Sequence, residues 1–339
     1  MKTKGIVFTK SYNAELLEVD CLPPKAGEVT VCLEYSAISS GTEKANYIGE
    51  RASIFASEDE EAVFPRMVGY SSAGVIVEVG ENVENVKIGD RVIVFWGTHR
   101  KYITVKAKNV VKIPDEVSTI EASMAFISVF PLAAVRKTKI EIGESALVMG
   151  LGILGMFAVE QLRAAGAHPV IAVDPIESKR ALALKLGADY ALDPTEAGFV
   201  ERVKTLTDGG ANVCIEVTGL GIGLVQALDC MKKMGRVALL GCTRHSDFSI
   251  DYYSKVHGNG VSLIGAHTLM RPTVESYPGH WTHADDLKAT VALIKGGRLN
   301  FKDMIGEIVS PADCQKVYDR LVNDKNFPVG VIFDWSLVE

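Results

Sequence analysis

Gly150-Leu151-Gly152-Ile153-Leu154-Gly155 directly follows the apolar run Ala146–Met149 and opens a stretch with helical periodicity. In a strand, turn and helix of this kind the first glycine permits the tight turn and the second lets a pyrophosphate approach the backbone. The third packs helix on strand, while the helix N-terminus supplies N–H donors and positive potential. Asp174 closes the next apolar run, nineteen residues after Gly155, where a carboxylate accepts both hydroxyls of an adenosine ribose. Cofactor binding is therefore expected at Gly150, Gly152, Ile153, Leu154, Gly155 and Asp174, with Lys179, Thr218 and Gly219 bordering the site. A carboxylate at 174 repels a 2′-phosphate, so NAD is expected ahead of NADP. NADP stays possible, because Lys179 and Arg180 lie one helical turn on and can swing toward a phosphate.

The elements that must position these residues have two textures. From Thr3 to about Lys112 the chain runs in short alternating or apolar segments broken by Gly, Pro and Asn, such as EVTVCLEY, VGYSSAGVIVEVG and DRVIVF, the rhythm of a small β barrel or sandwich. Gly27-Glu28, Gly80–Val83 and Lys87–Asp90 are turn chemistry within it. Thr119 to Lys137 then reads as a long apolar helix, with Ser118 or Thr119 as N-cap and Glu121 in its first turn. Strand and helix alternate after that: ALVM, a helix over 154–165, VIAVD, a helix over 176–186, DYALD, a helix over 199–206, CIEVT, a helix over 224–233, RVALLG and VSLIGA. This is the pattern of a doubly wound parallel sheet. The Gly219–Gly223 cluster reads as a turn bordering the cofactor. The tail offers helices over 284–294 and 312–322 and a final strand, VGVIFDW.

Composition excludes several function classes. The 339 residues, 47% hydrophobic and 23% charged, suffice for two cored domains and exclude disorder. Lys and Arg total 36 against 42 Asp and Glu, and no basic run is interleaved with aromatics, so no nucleic-acid partner is expected. The six cysteines contain no CxxC, which fits neither a disulfide framework nor a four-cysteine zinc lobe and suits a reducing cytoplasm. The N-terminus lacks a signal-peptide core and the longest uncharged stretch is short of a membrane span, so a cytoplasmic chain without a membrane partner is expected.

Ordered landmarks carry a family resemblance. Pro24, Gly27-Glu28, Ser40-Gly41-Thr42-Glu43, Val68-Gly69-Tyr70, Ala73-Gly74-Val75, Glu78-Val79-Gly80, Gly89-Asp90-Arg91-Val92, the GLGILG loop and Glu216-Val217-Thr218-Gly219 stand in the order of the alcohol dehydrogenase-like, medium-chain dehydrogenase/reductase superfamily. The chain resembles that superfamily over essentially its whole length. The resemblance implies an α/β fold, a Rossmann doubly wound parallel sheet plus a GroES-like β-barrel domain. It places the GroES-like domain at 1–124, the NAD-binding domain at 125–270 and a return to the first domain at 271–339, with the active site in the cleft between them.

The departures from the family pattern concern metal. Zinc-dependent members carry ligands at the positions that here resemble Ser40, Tyr70 and Ala125, and none of the three supplies the thiolate, imidazole or carboxylate that a tetrahedral Zn²⁺ needs. Only Ile93–Ala107 lies where a structural zinc lobe would stand, with no cysteine in it. No metal is expected. The segments YSAISSGTE, GYSSAGVIVEVG and Pro278–Thr282 are most similar to a zinc-lacking branch that includes bacteriochlorophyllide dehydrogenase-like oxidoreductases.

Without zinc, hydroxyl donors must stabilise the oxygen on which charge develops. The family brings Ser40, Thr42 and Tyr70 to the nicotinamide, which makes these three the candidate catalytic residues; Thr42 matches the relay hydroxyl of the zinc enzymes, and a tyrosine, with an ordinary pKa near 10, can donate a proton. A plain turn for Ser40 and a core aromatic for Tyr70 are the bland alternatives. Glu43 reads as a salt-bridge residue rather than a base. Tyr47, Ile48, Phe95, Trp96 and Phe126 read as apolar lining, His280 and His283 as a weak metal pair beside Glu275 or Asp285, and His267 as a loop residue near the site. The expected activity is zinc-independent, NAD(P)-dependent hydride transfer between nicotinamide and a small alcohol or carbonyl substrate, in a homo-oligomer (dimer or tetramer) paired through VSLIGA. An enone- or quinone-type double-bond reductase, a catalytically silent dinucleotide sensor and a zinc alcohol dehydrogenase with atypical ligands remain open beside it.

Overall fold

The computed structural model describes residues 1–50, 63–242 and 248–338. Contacts divide the chain into two compact units: residues 1–127, 287–295 and 301–339 form one, and residues 128–286 and 296–300 the other. The segment 271–286, expected to return to the first domain, packs instead with the second unit.

The first unit begins with β1 (Lys2–Lys10) and β2 (Asn13–Asp20), followed by β3 (Glu28–Ala37), α1 (Ser40–Ile48), β4 (Arg66–Met67), β5 (Ser71–Val79), β6 (Arg91–Phe95), β7 (Tyr102–Lys106) and β8 (Val110–Lys112). Besides the two-residue β4, two of these were not legible in the sequence. β2 is an edge strand with only Ala14 buried, so its run NAELLEVD shows no clean apolar face. α1 begins where a turn was expected at Ser40, because Ser, Gly and Thr are poor helix formers; burial of Glu43, Ala45 and Tyr47 overrides that preference. Helix α2 (Thr119–Thr138) matches its expected span; at its start Ser118 Oγ accepts the Glu121 N–H at 3.4 Å and donates to Glu121 Oε2. By length and composition α2 could cross a membrane, but 83% of its most apolar window is buried within the protein, as in a core helix.

The second unit alternates β9 (Ala146–Met149), α3 (Ile153–Ala164), β10 (Val170–Val173), α4 (Glu177–Lys185), β11 (Tyr190–Leu192), α5 (Phe199–Leu206), β12 (Ala211–Glu216), α6 (Gly221–Asp229), β13 (Met231–Leu239) and β14 (Ser262–Gly265). All six strands are parallel in the order β11-β10-β9-β12-β13-β14, a Rossmann sheet. The order reverses between β9 and β12, so the carboxyl end of β9 faces the crevice at which such sheets bind ligands. α6 starts three residues and ends four residues earlier than expected, because Met231–Lys233 join β13. Gly221 and Gly223 thus lie in a helix, not a turn. A Cβ on Gly221 would fall 2.4 Å from the Phe248 ring and one on Gly223 2.3 Å from Thr218 Oγ1, so both glycines serve close packing.

The tail supplies α7 (His283–Lys295), β15 (Glu307–Val309), α8 (Cys314–Asn323) and β16 (Val331–Asp334). In the first unit β16 joins β15 to β3, giving the order β15-β16-β3-β5-β6-β8 with β7 also on β3. Its core gathers Phe8, Tyr47, Tyr318, Phe333 and Trp335, with Phe8 edge-on to Tyr318 at 4.7 Å and Tyr47 stacked on Tyr318 at 5.6 Å. An aromatic core of this kind ties residues near both ends of the chain together by area burial and ring geometry.

Candidate functional site

In the second unit the glycine turn has the geometry its sequence implies. Gly150 adopts φ +98° and its N–H donates to Val173 O at 2.8 Å. A Cβ on Gly155 would lie 1.9 Å from Gly150 O, so only glycine lets α3 approach β9. Gly152 differs: its φ of −70° and ψ of −174° suit any residue, and a Cβ there would meet nothing within 4 Å. Among the described residues neither packing nor backbone strain requires a glycine at 152, and the open space there leaves room for a ligand to approach the backbone. Among the described residues no side chain caps α3, and no acidic residue stands in its first turn, so the N–H donors at Ile153 and Leu154 lie at a positive helix end.

Asp174 is 7% exposed; its Oδ2 accepts the Leu151 N–H and its Oδ1 the Ile176 N–H, each at 2.9 Å. Arg180 is held by Asp174 O at 2.8 Å, Pro175 O at 2.9 Å and Asp193 Oδ2 at 3.2 Å, which corrects the expectation that it swings toward a phosphate. Lys179, half-buried on α4, makes no ion pair among the described residues. Thr218 lies against Gly150, donates its hydroxyl to Glu216 and also gives Glu216 Oε1 its N–H at 2.9 Å. Burial pushes the Glu216 carboxyl up, and the Thr218 bonds partly offset it. Gly219 follows at φ +69°. These residues fit a dinucleotide: a positive helix N-terminus, a glycine with no packing reason, and a carboxylate at the end of the second strand.

In the first unit the structure joins Tyr70 to a residue that the sequence reading passed over. The Tyr70 hydroxyl donates to Ser39 Oγ, not to Ser40. Ser39 is the N-cap of α1, yet its side chain makes no cap bond and instead accepts from Tyr70, while Glu43 Oε1 takes the Ser39 N–H at 2.8 Å. The available signal was the Ser39-Ser40 pair ahead of an acidic residue, a helix-start pattern. Ser40 begins α1 half-buried, and Thr42 is exposed on the same helix. Trp96 and Phe126 flank Tyr70 with ring centroids at 5.8 and 5.9 Å, and Phe95 packs on Phe126 at 5.2 Å. Of the five residues read as lining, Tyr47 is fully buried in the core with its hydroxyl on Asp319 Oδ1 at 2.7 Å, a correction. Ile48 packs partly buried against that core, while Trp96 is 40% exposed.

The donor set at the family's zinc-ligand positions consists of the Ser40 and Tyr70 hydroxyls and the methyl group of Ala125, which is fully buried. The nearby imidazole of His99 has Nε2 on Glu43 at 3.0 Å and Nδ1 on Ser36 Oγ at 2.7 Å. Among the described residues no three His, Cys, Asp or Glu side chains converge as a metal set. Thiolate, imidazole and carboxylate ligands are what zinc requires, and the residues present at these positions do not fit it.

Among the described residues His280 and His283 belong to no group of three metal-ligating side chains. His280 stacks on Tyr277 at 4.9 Å, whereas burial, reinforced by Arg271, holds the His283 imidazole down at about 3. Arg271 and Arg136 both bind the fully buried Asp286, at 3.0 and 2.8 Å, and Arg136 lies 3.6 Å over the Trp281 ring, so Trp281 is a packing aromatic. His267 Nδ1 accepts the Leu269 N–H at 3.3 Å, and burial and Lys137 lower its pKa.

One unit is a parallel Rossmann sheet with a glycine turn at a helix start, and the other is a β unit carrying the Tyr70–Ser39 hydroxyl pair; together they are the parts of a nucleotide-dependent oxidoreductase. Residues 25–115 match the alcohol dehydrogenase GroES-like domain and residues 154–281 the zinc-binding dehydrogenase domain. The chain belongs to the alcohol dehydrogenase-like, medium-chain dehydrogenase/reductase family, whose members are NAD(P)-dependent, and it is an alcohol dehydrogenase-like oxidoreductase. It is 32% identical over 303 residues to L-threonine 3-dehydrogenase of Pyrococcus furiosus, covering 78% of this chain and 82% of that protein. It is 27% identical over 354 residues to D-guloside 3-dehydrogenase of Escherichia coli K12, covering 97% and 100%. A zinc-binding dehydrogenase from Sinorhizobium meliloti 1021, solved bound to NADP, shares the fold with a TM-score of 0.81 over 98% of this chain and 99% of that one, at 20% identity.

Proposed function

We propose that this chain is a zinc-independent member of its family, using NAD in preference to NADP to interconvert a small alcohol and its carbonyl compound. The observation that supports this reading is the hydroxyl pair: at two positions where zinc members carry metal ligands this chain has Ser40 and Tyr70, and the Tyr70 hydroxyl is already oriented by Ser39.

The dinucleotide, when bound, supplies or accepts the hydride. Gly152, the N–H groups at Ile153 and Leu154, and Asp174 hold its pyrophosphate and ribose in this reading. With a carbonyl compound bound, the Tyr70 O–H turns from Ser39 Oγ to the carbonyl oxygen and gives it the proton as the carbonyl is reduced. The phenolate regains a proton before the next turnover; in the reverse direction it takes the proton back. Ser39 holds the phenol oxygen in place, and its own hydroxyl turns to donate to the phenolate that forms, while Thr42 and Ser40 are further donors for the carbonyl oxygen. The buried Phe126 and the flanking Trp96 keep water from the phenol. The edge strand β14, with Leu263 40% exposed, suits the self-pairing of a homo-oligomer.

The test is a fluorescence titration of chelator-treated protein with NADH and NADPH, followed by turnover of a panel of ketones and diones by wild type and Tyr70→Phe. The reading expects tighter NADH binding without metal, and a loss of turnover of about 10²–10⁴-fold in Tyr70→Phe. Turnover that returns only on adding one Zn²⁺ per chain would overturn it.

A further inference from the structure

Ser39 and Tyr70 stand on segments thirty-one residues apart, and a buried network beneath them joins the two. Glu43 Oε1 accepts the Ser39 N–H at 2.8 Å, while its Oε2 accepts from His99 Nε2 at 3.0 Å and from the Tyr318 hydroxyl at 2.6 Å. On the other side of the imidazole, Ser36 Oγ lies 2.7 Å from His99 Nδ1 and accepts the Trp335 indole N–H at 2.8 Å. Glu43 is 1% exposed, and His99, Ser36, Tyr318 and Trp335 are fully buried. With the Nε2–H tautomer, His99 donates to Glu43 and accepts the Ser36 proton, so every polar atom of the network has its bond.

The two ends of this network grip different segments. Glu43 holds Ser39 by its main chain. His99 holds the other side: Gly69 adopts φ +89° against the imidazole, and a Cβ there would lie 2.6–2.7 Å from three ring atoms. The His99 N–H donates to Val68 O at 2.7 Å, and the Trp96 N–H to Tyr70 O at 3.1 Å, so the backbone on both sides of Gly69 is tied to the 96–99 segment. The Glu43–His99 bond therefore sets the separation between Ser39 and Tyr70.

A proton wire would need an outlet, and the network has none. It ends at the Trp335 indole, which only donates, and at Tyr318, whose phenol burial pushes far above its ordinary value. The arrangement fits a brace instead. We infer that Glu43 and His99 are positioning residues that hold the Tyr70–Ser39 hydroxyl pair in place. They supply through hydrogen bonds the cross-link between the 39–42 and 69–71 segments that shared metal ligation supplies in zinc members. The inference rests on the reading of Tyr70 as the proton donor.

The experiment labels the full-length protein with tyrosine carrying ¹³C at the ζ carbon and identifies the Tyr70 resonance by its loss in Tyr70→Phe. Its pH titration is then compared in wild type, Ser39→Ala, Glu43→Asp, Glu43→Gln and Tyr318→Phe. Aspartate is one methylene too short to reach the Ser39 N–H and His99 together. Glu43→Asp is therefore expected to raise the Tyr70 midpoint to that of Ser39→Ala, by about half a pH unit or more, roughly threefold in the ionisation constant. The reason is that in the wild type the Ser39 hydroxyl turns to donate to the phenolate, and that charge-assisted bond is the stronger of the two. Glutamine keeps the reach and, with its carbonyl on the Ser39 N–H, the Ser39 bond; its amide then donates to His99 Nε2 as the imidazole passes to the Nδ1–H tautomer, and the wild-type midpoint should hold. Tyr318→Phe keeps its ring in the core, removes one of three donors to Glu43 and should shift the midpoint part way, which secures the test if Glu43→Asp does not fold. A lowered Tm with an unmoved Tyr70 midpoint in these variants makes the network merely structural and overturns the proposal. Full turnover in Tyr70→Phe, with the midpoint still moved by Glu43→Asp, rejects the proton-donor role and leaves the brace standing.

Discussion

The carboxylate of Asp174 accepts the backbone N–H of Leu151 at 2.9 Å, so the end of β10 is bonded to the middle of the glycine turn that opens α3. The residue proposed to select the ribose also fixes the loop proposed to hold the pyrophosphate. Replacing Asp174 with Ser removes the negative charge that repels a 2′-phosphate and the loop contact together. Asp174→Ser is expected to weaken NADH binding at least about tenfold, roughly 1.4 kcal/mol, and to narrow the difference between NADH and NADPH. Fluorescence titrations with both nucleotides check this, and an unchanged preference would remove Asp174 from the site.

Two glycines of the same turn separate folding from binding. Gly152→Ala puts a methyl group into open space at a φ that any residue adopts, so stability should hold or rise by about 0.4–1 kcal/mol as the unfolded chain loses freedom. Nucleotide affinity should fall at least about tenfold, because that methyl group occupies the approach of the pyrophosphate. Gly155→Ala, with its Cβ 1.9 Å from Gly150 O, should unfold the Rossmann unit instead. Thermal unfolding with and without NADH distinguishes the outcomes; a Gly152→Ala protein that binds normally would leave that glycine without explanation.

His283 gives the fold an acid-side dependence with a defined sign. Its folded pKa, about 3, lies below the ordinary value near 6.5, because burial and then Arg271 oppose the charged form. The unfolded chain therefore binds a proton that the folded protein refuses between these values, and the stability this group contributes, complete above about 6.5, is lost as pH falls toward 3. One such group gives a slope approaching 1.4 kcal/mol per pH unit. Urea unfolding from pH 7 to pH 5 should show that slope reduced in His283→Asn, and equal slopes in the two proteins would reject the assignment.

The cofactor half of this molecule was legible as sequence. A strand, GLGILG, a helix and Asp174 lie within one stretch of thirty residues, and their geometry follows from local rules: glycine for a positive φ at 150, no side chain at 155, a carboxylate at a strand end. The alternation of the six parallel strands was legible for the same reason, since buried strands are continuous apolar runs. Weak local signals misled the reading elsewhere. α1 was hidden by Ser-Gly-Thr, and the end of α6 by a strand that begins at Met231.

The hydroxyl site was decided by tertiary structure. The sequence, through its resemblance to the family, made Tyr70 a candidate and put Ser40, Tyr70 and Ala125 at the zinc-ligand positions, since residue type is read directly. Which serine Tyr70 meets depends on the start of α1, and α1 forms only because Glu43, Ala45 and Tyr47 are buried against distant parts of the chain. Glu43 in turn meets His99, fifty-six residues on, and Tyr318, two hundred and seventy-five residues on. No periodicity or spacing rule reaches across such separations. These contacts exist because the core of the first unit closes over the start of the chain and its tail, and buried polar groups there must find partners among one another.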